Sequence, residues 1–138
     1  MITDANVILR AFFPDEGGQP QAQAIIHTYV MGAIALMVPS LLPYEVTNAV
    51  LQAVRLGRID DEKANVILSA FEDLGIPTRE ATPKRMLELA RRYNCSAYDA
   101  AYLALTEEMG TQLITGDRRL YNAVRPHLSW IVWIEDYR

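Results

Sequence analysis

The sequence predicts an α/β fold: a five-stranded, mostly parallel sheet flanked by helices on both faces, with a helical hairpin. Three observations carry this expectation. Short apolar runs alternate with amphipathic helical segments, the pattern of strand–helix–strand units. The chain has 138 residues, a single-domain length, and is 51% hydrophobic and 22% charged, enough to bury a core. No repeat, linker or low-complexity segment divides residues 1–138, which therefore read as one domain.

The elements follow in order. Ile2-Thr3 forms a short first strand that ends at Asp4. A helix from Asn6 to Phe13 stops at Pro14, and a loop runs through Gly17-Gly18. Beyond Pro20, residues Ala22, Ile25, Ile26, Tyr29 and Val30 share one helix face. Ile34 to Val38 is a buried-strand candidate halted by Pro39. Ser40 or Pro43 then opens a helix that runs to Gly57. Asp60 caps the next, which continues to Leu74-Gly75 and completes the hairpin. Ile76 to Ala81, with Pro77 inside it, reads as an edge strand. Thr82-Pro83 starts a helix ending near Asn94, and Ser96 to Met109 forms another, ended by Gly110. Gln112 to Thr115 is strand-like, Gly116-Asp117 leads into a short helix to Val124, and Trp130 to Ile134 is the last strand. Its two tryptophans, Trp130 and Trp133, read as packing on one face rather than as base-stacking platforms.

Composition narrows the function. Thirteen Lys and Arg against seventeen Asp and Glu give a net charge of −4, which disfavours gripping nucleic acid by bulk positive charge. A single cysteine, Cys95, excludes an internal disulfide, a zinc knuckle and a CxxC redox site, and suits a reducing cytoplasm. The start has no basic and apolar signal-peptide regions. The longest apolar run, Tyr29 to Val38, falls short of the ~20 residues that span a membrane. No Asp, Glu, Lys or Arg occurs between Glu16 and Glu45, so part of that stretch is expected in a homodimer interface.

In an open parallel sheet, ligands bind beyond the carboxyl ends of the strands. Asp4 follows the first strand, and Asp117 follows the fourth, two residues after Thr115. Either could be a plain helix N-cap. Asp99 is the one charge in an otherwise apolar helical run, Ser96 to Thr106, where a carboxylate needs a cation or hydrogen bonds. Ser96 and Asp99 also have capping-box spacing. Glu45 borders an apolar stripe in the first turns of its helix, and Asn6 lies two residues after Asp4. Four carboxylates in one crevice repel one another unless a hard divalent cation offsets them. Oxygen ligands suit Mg²⁺ or Mn²⁺, and no Cys/His set exists for zinc. Acid clusters with such a cation serve phosphoryl chemistry. Arg10, Arg118 and Arg119 lie close enough in sequence to position a phosphate, whereas Lys84, Arg85, Arg91 and Arg92 read as a solvated face.

Four segments now carry a resemblance. They are Ile2-Thr3-Asp4-Ala5-Asn6, Pro39-Ser40-Leu41-Leu42-Pro43-Tyr44-Glu45, the run Ser96 to Leu105, and Leu113 to Leu120 with its Thr115-Gly116-Asp117-Arg118-Arg119 core. In order and spacing they resemble the PIN-domain ribonucleases, and more narrowly the VapC-type toxins of toxin–antitoxin pairs. The family usually carries more residues ahead of its first Asp than Met1, Ile2 and Thr3, so the first strand is expected to be short. The resemblance implies Asp4, Glu45, Asp99 and Asp117 as metal-binding acids, with Thr115 and Asn6 as supporting polar residues. It implies Mg²⁺- or Mn²⁺-dependent hydrolysis of single-stranded RNA, frequent dimerisation, and a small antitoxin that puts a basic side chain into the acidic pocket. Asp4, Asp99 and Asp117 would hold the principal ion. Glu45 would serve a second ion or the attacking water, and Thr115 would steady Asp117 or the phosphate.

Other acid-based chemistries fit less well. An aspartyl-phosphate phosphatase wants a carboxylate where Asn6 stands, and a receiver domain wants adjacent acids after its first strand. A catalytically weak PIN-like binding module is the non-enzymatic alternative.

Overall fold

The computed structural model describes every residue from Met1 to Arg138. Its elements are β1 (Ile2–Thr3), α1 (Ala5–Phe12), α2 (Gln19–Val30), β2 (Val38–Pro39), α3 (Leu42–Arg55), α4 (Asp61–Asp73), β3 (Thr78–Arg79), α5 (Pro83–Tyr93), α6 (Ala97–Met109), β4 (Leu113–Thr115), α7 (Arg118–Val124) and β5 (Ile131–Trp133). A single 3₁₀ turn, Ile134–Asp136, follows.

All five expected strands are present and all pair in parallel, but they do not form one regular sheet. β4 lies between β1 and β5, while β2 pairs only with β3. One parallel bridge, Ile2 with Met37, joins the two parts, supported by the Met37 N–H donating to the Met1 carbonyl at 3.1 Å. Strands of two or three residues offer few ladder positions, and that is why the pairing breaks into three plus two. The second strand also sits later than the apolar run Ile34 to Val38 suggests, and it includes Pro39. The Val38 N–H donates toward β3, to Pro77, at 3.1 Å. Adjacent strand residues point their backbone groups to opposite edges, so the donor missing at Pro39 is not one that β3 needs.

Burial explains the rest of the arrangement. Along β4, Leu113 packs into one cluster with Ile2, Val46, Leu103 and Leu105, whereas Ile114 packs into a second with Val7, Ile25, Leu36 and Trp133. Both β4 residues are fully buried, as expected of a central parallel strand covered on both faces. The two tryptophans part company in the same way: Trp130 packs against the first cluster and Trp133 belongs to the second. The expectation that they share a face is corrected: Trp130 lies in the turn before β5, and only Trp133 belongs to the strand.

Helix α6 is buried without a break from Ala100 to Thr106. It is held between α5 and the strands β1, β2 and β4. The hairpin of α3 and α4 closes through Val50, Ala53 and Ile67, with Phe13 from the end of α1. Arg85 lies on the solvated face expected of it and there bridges Glu107 at 2.6 Å and Glu88 at 2.8 Å, tying α5 to α6. The uncharged stretch leaves Val30 and Met31 well exposed at the end of α2. No helix is long and apolar enough to cross a membrane.

Candidate active site

The carboxyl ends of β1 and β4 bring Asp4 and Thr115 together across 111 positions of sequence. The Thr115 hydroxyl donates to Asp4 Oδ2. The Gly116 N–H approaches both Asp4 oxygens at 3.2–3.3 Å, and the Val7 N–H donates to Asp4 Oδ1 at 3.0 Å. Asp4 is therefore an N-cap of α1 and a strand-end acid at once, and the two readings do not compete. It is only 5% exposed and has no cationic partner, so burial pushes its carboxyl up to about 6. Its three donors pull the other way, and the charge of Asp117 adds to the rise.

Asp117 is placed by the same loop. Its N–H donates to the Thr115 hydroxyl oxygen at 3.0 Å, and its own carboxylate caps α7 by accepting from the Leu120 N–H at 3.2 Å. Thr115 thus links the two acids through one hydroxyl.

Glu45 and Asp99 form the other half. Both line a pocket of about 470 Å³ together with Leu41, Tyr44, Asn48 and Tyr98. Asp99 is not buried as the apolar run suggests: its side chain is 20% exposed, because it stands in the first turn of α6 ahead of the buried segment. The capping half of the box is real, with the Asp99 N–H donating to Ser96 Oγ at 3.0 Å. The carboxylate itself faces Arg119 at 3.4 Å. Glu45 is half-buried, and desolvation raises its carboxyl above the ordinary range, with Asp99 adding to the rise. Against this, Tyr102 donates to Glu45 Oε1 at 2.5 Å.

Tyr102 is the residue that sequence reasoning missed. Its ring is 3% exposed, and burial together with the charges of Glu45, Asp4 and Asp99 drives its hydroxyl far above the usual phenol range. It therefore stays a donor, placed among three of the four acids. A signal was available: Tyr102 follows Asp99 by three positions and so shares its side of the helix.

The three arginines have different fates. Arg10 turns away from the acids: it donates to the Gly116 carbonyl at 2.8 Å and to the Gly17 carbonyl, and lies over the Trp133 ring at 5.5 Å. That contact spends it on holding the Thr115–Asp117 loop against α1. Arg118 stacks over Trp133 at 3.7 Å from the ring centre. Arg119 is 77% exposed and reaches Asp99. Gly116 is required where Arg10 crosses, because a Cβ there would meet Arg10 Nε at 2.7 Å and Asn6 Cβ at 2.9 Å. Gly116→Ala is expected to cost about 1–3 kcal/mol of stability, the usual scale of overpacking. It also disturbs the N–H that faces Asp4. Urea denaturation measures the first effect and Mn²⁺ titration the second.

As the side chains stand, no three acids are gathered closely enough to hold a metal ion. The donor set nonetheless fits a hard divalent cation. It is all oxygen, and it includes a buried carboxylate with N–H and O–H partners but no cation.

A family model described as PIN domain matches residues 1–126. This chain belongs to the PIN domain family. Among curated PIN-domain relatives, Ribonuclease VapC3 of Pyrobaculum aerophilum is 27% identical over 124 residues, covering 87% of this chain and 91% of that protein. VapC ribonuclease Mb0985 of Mycobacterium bovis is 32% identical over 125 residues, covering 87% of each. The crystal structure of PAE2754 from Pyrobaculum aerophilum superposes with a TM-score of 0.72 at 24% identity, over 97% of this chain and 83% of that one. That likeness shows a shared fold, and the family match identifies it as the PIN architecture.

Proposed function

We propose that this PIN domain is a divalent-metal-dependent endoribonuclease, hydrolysing phosphodiester bonds of single-stranded RNA as the toxin of a type II toxin–antitoxin pair. The observation that carries the reading is Asp4: a buried carboxylate without a counter-cation, fixed by Thr115 and Gly116 at the strand ends of a PIN fold. The near full-length VapC ribonuclease relatives support it.

In this reading Asp4, Asp99 and Asp117 hold Mg²⁺ or Mn²⁺, and Glu45 serves a second ion or orients the attacking water. When bound, the cation supplies charge stabilisation to the phosphodiester and lowers the pKa of water at the site. Thr115 keeps Asp4 and Asp117 in fixed relation, and Asn6, one turn from Arg10 on α1, supports the same corner. Arg119, which reaches Asp99, and Arg118, which directly follows Asp117 in sequence, serve as phosphate contacts. Arg10 acts on the loop rather than on the substrate, since both its ends are engaged with carbonyls. The partners are RNA and a cognate antitoxin whose basic side chain complements the acidic pocket, and the setting is the cytoplasm. A homodimer through the exposed apolar end of α2 completes the proposal. Light scattering at high concentration checks it, a monomer speaking against the dimer.

The separation of the acids into two pairs favours a second reading, a catalytically weak PIN-like module that binds RNA or protein. One experiment decides between them: cleavage of mixed single-stranded RNA with Mg²⁺ or Mn²⁺, with EDTA and Asp99→Asn as controls. Cleavage that needs both the metal and Asp99 is the expected result. A folded chain that binds Mn²⁺ but leaves this RNA intact points to one structured RNA as the substrate. Neither cleavage nor metal binding establishes the binding module.

A further inference from the structure

The four acids do not share one rigid element. α3, which carries Glu45, packs chiefly on α1 and α4, whereas α6, which carries Asp99, packs chiefly on α5 and the strands. The pocket shared by Glu45 and Asp99 therefore lies between two helices that are anchored to different neighbours. One polar contact crosses between these helices: the Tyr102 hydroxyl of α6 donating to Glu45 Oε1 of α3 at 2.5 Å. Tyr102 is buried, and a buried phenol O–H that loses its acceptor is costly, so the bond resists opening from either side. Glu45 has two carboxylate oxygens, and this bond takes one lone pair of Oε1 with a fixed donor, which leaves Oε2 the freer of the two.

We infer that Tyr102 is a positioning residue, a cross-helix strut that sets the distance between Glu45 and Asp99 and commits Glu45 to offering a divalent cation one oxygen, Oε2. The inference rests on the metal site proposed above, but not on RNA being the substrate. Without the strut, the Glu45 carboxylate is free to rotate and to present either oxygen or both. The site then loses order before any cation arrives, and ligand-supporting groups of this kind are worth roughly 10–100-fold in metal affinity.

The test is a double-mutant cycle read by Mn²⁺ binding to the RNA-free chain, followed by electron paramagnetic resonance or calorimetry. Tyr102→Phe removes one oxygen and keeps the ring in the core. Its Mn²⁺ affinity is expected to fall at least tenfold. Glu45→Gln keeps an acceptor for Tyr102 but removes the charged oxygen offered to the ion. In that background the added Tyr102→Phe change is expected to cost less than twofold, because the strut acts through Glu45 alone. An equal loss in both backgrounds overturns the proposal, since Tyr102 would then act only on packing. Unchanged affinity in Tyr102→Phe, or no Mn²⁺ binding by the unaltered chain, overturns it too. If Tyr102→Phe does not fold, Tyr102→Leu with Glu45→Gln repeats the cycle without a hydroxyl, and the same non-additivity decides. Mn²⁺ binding with the expected coupling, but no cleavage of mixed single-stranded RNA, supports the strut and moves the proposed substrate to one structured RNA instead.

Discussion

Asp4→Asn is expected to lower metal-dependent RNA cleavage by roughly two to three orders of magnitude, the scale on which losing one group that stabilises developing charge slows an enzyme. The fold survives, because an amide oxygen still accepts the Val7 N–H that caps α1. The substitution also changes how stability depends on pH. The Asp4 carboxyl is raised from 3.8 to about 6 in the folded chain, so between these values the folded state binds more protons than the unfolded one. Stability therefore falls as pH rises through that window, by about 3 kcal/mol at 1.4 kcal/mol per unit. It stays low above pH 6 unless a cation offsets the charge. Asp4→Asn removes this slope, and it removes the stabilisation by Mn²⁺ near pH 7 as well. Urea titrations of both proteins at pH 4, 5 and 7, with EDTA and with Mn²⁺, measure the difference. Parallel pH profiles would show that Asp4 is not the buried, cation-seeking acid described here.

Leu103→Ala is expected to carry the largest cost in stability. Leu103 is fully buried in the cluster beside Leu105, Leu113 and Val46, on the helix that bears Asp99 and Tyr102. Truncating such a leucine costs about 2–5 kcal/mol through lost transfer free energy and the cavity left behind. A typical domain has only ~5–15 kcal/mol in total. The loss appears equally in EDTA and in Mn²⁺, which separates it from the effect of Asp4. A change below about 1 kcal/mol in the denaturation midpoint would mean that α6 is not packed as the structure has it.

Local chemistry was the legible part of this chain. The caps Asp4, Asp60, Ser96 and Asp117 occupy the positions their sequence context suggests, and every helix lies within a residue or two of its expected span. The placement of the four candidate acids was legible because strand ends and helix starts are marked by neighbours in sequence. What depends on three-dimensional reach was not. The Tyr102–Glu45 bond joins residues 57 positions apart, and a buried tyrosine in an apolar helix looks like any core aromatic. Closeness to Asp4 in sequence suggests Arg10 as a phosphate contact. Its guanidinium instead meets the Gly116 carbonyl, 106 positions away. The division of the sheet was hidden for a related reason. Apolar runs mark what is buried, whereas pairing depends on which short segments keep register.

The 111-residue span between Asp4 and Thr115 has a consequence for synthesis. β4 sits between β1 and β5, so apart from the single bridge to Met37 the first strand lacks its ladder partner until Leu113 and Ile114 have been made. Until then the Asp4 carboxylate has neither Thr115 nor Gly116 to hold it. A nascent chain, or one cut short before β4, cannot assemble the acidic crevice. On the site proposed above, the activity switches on only once β4 has been made.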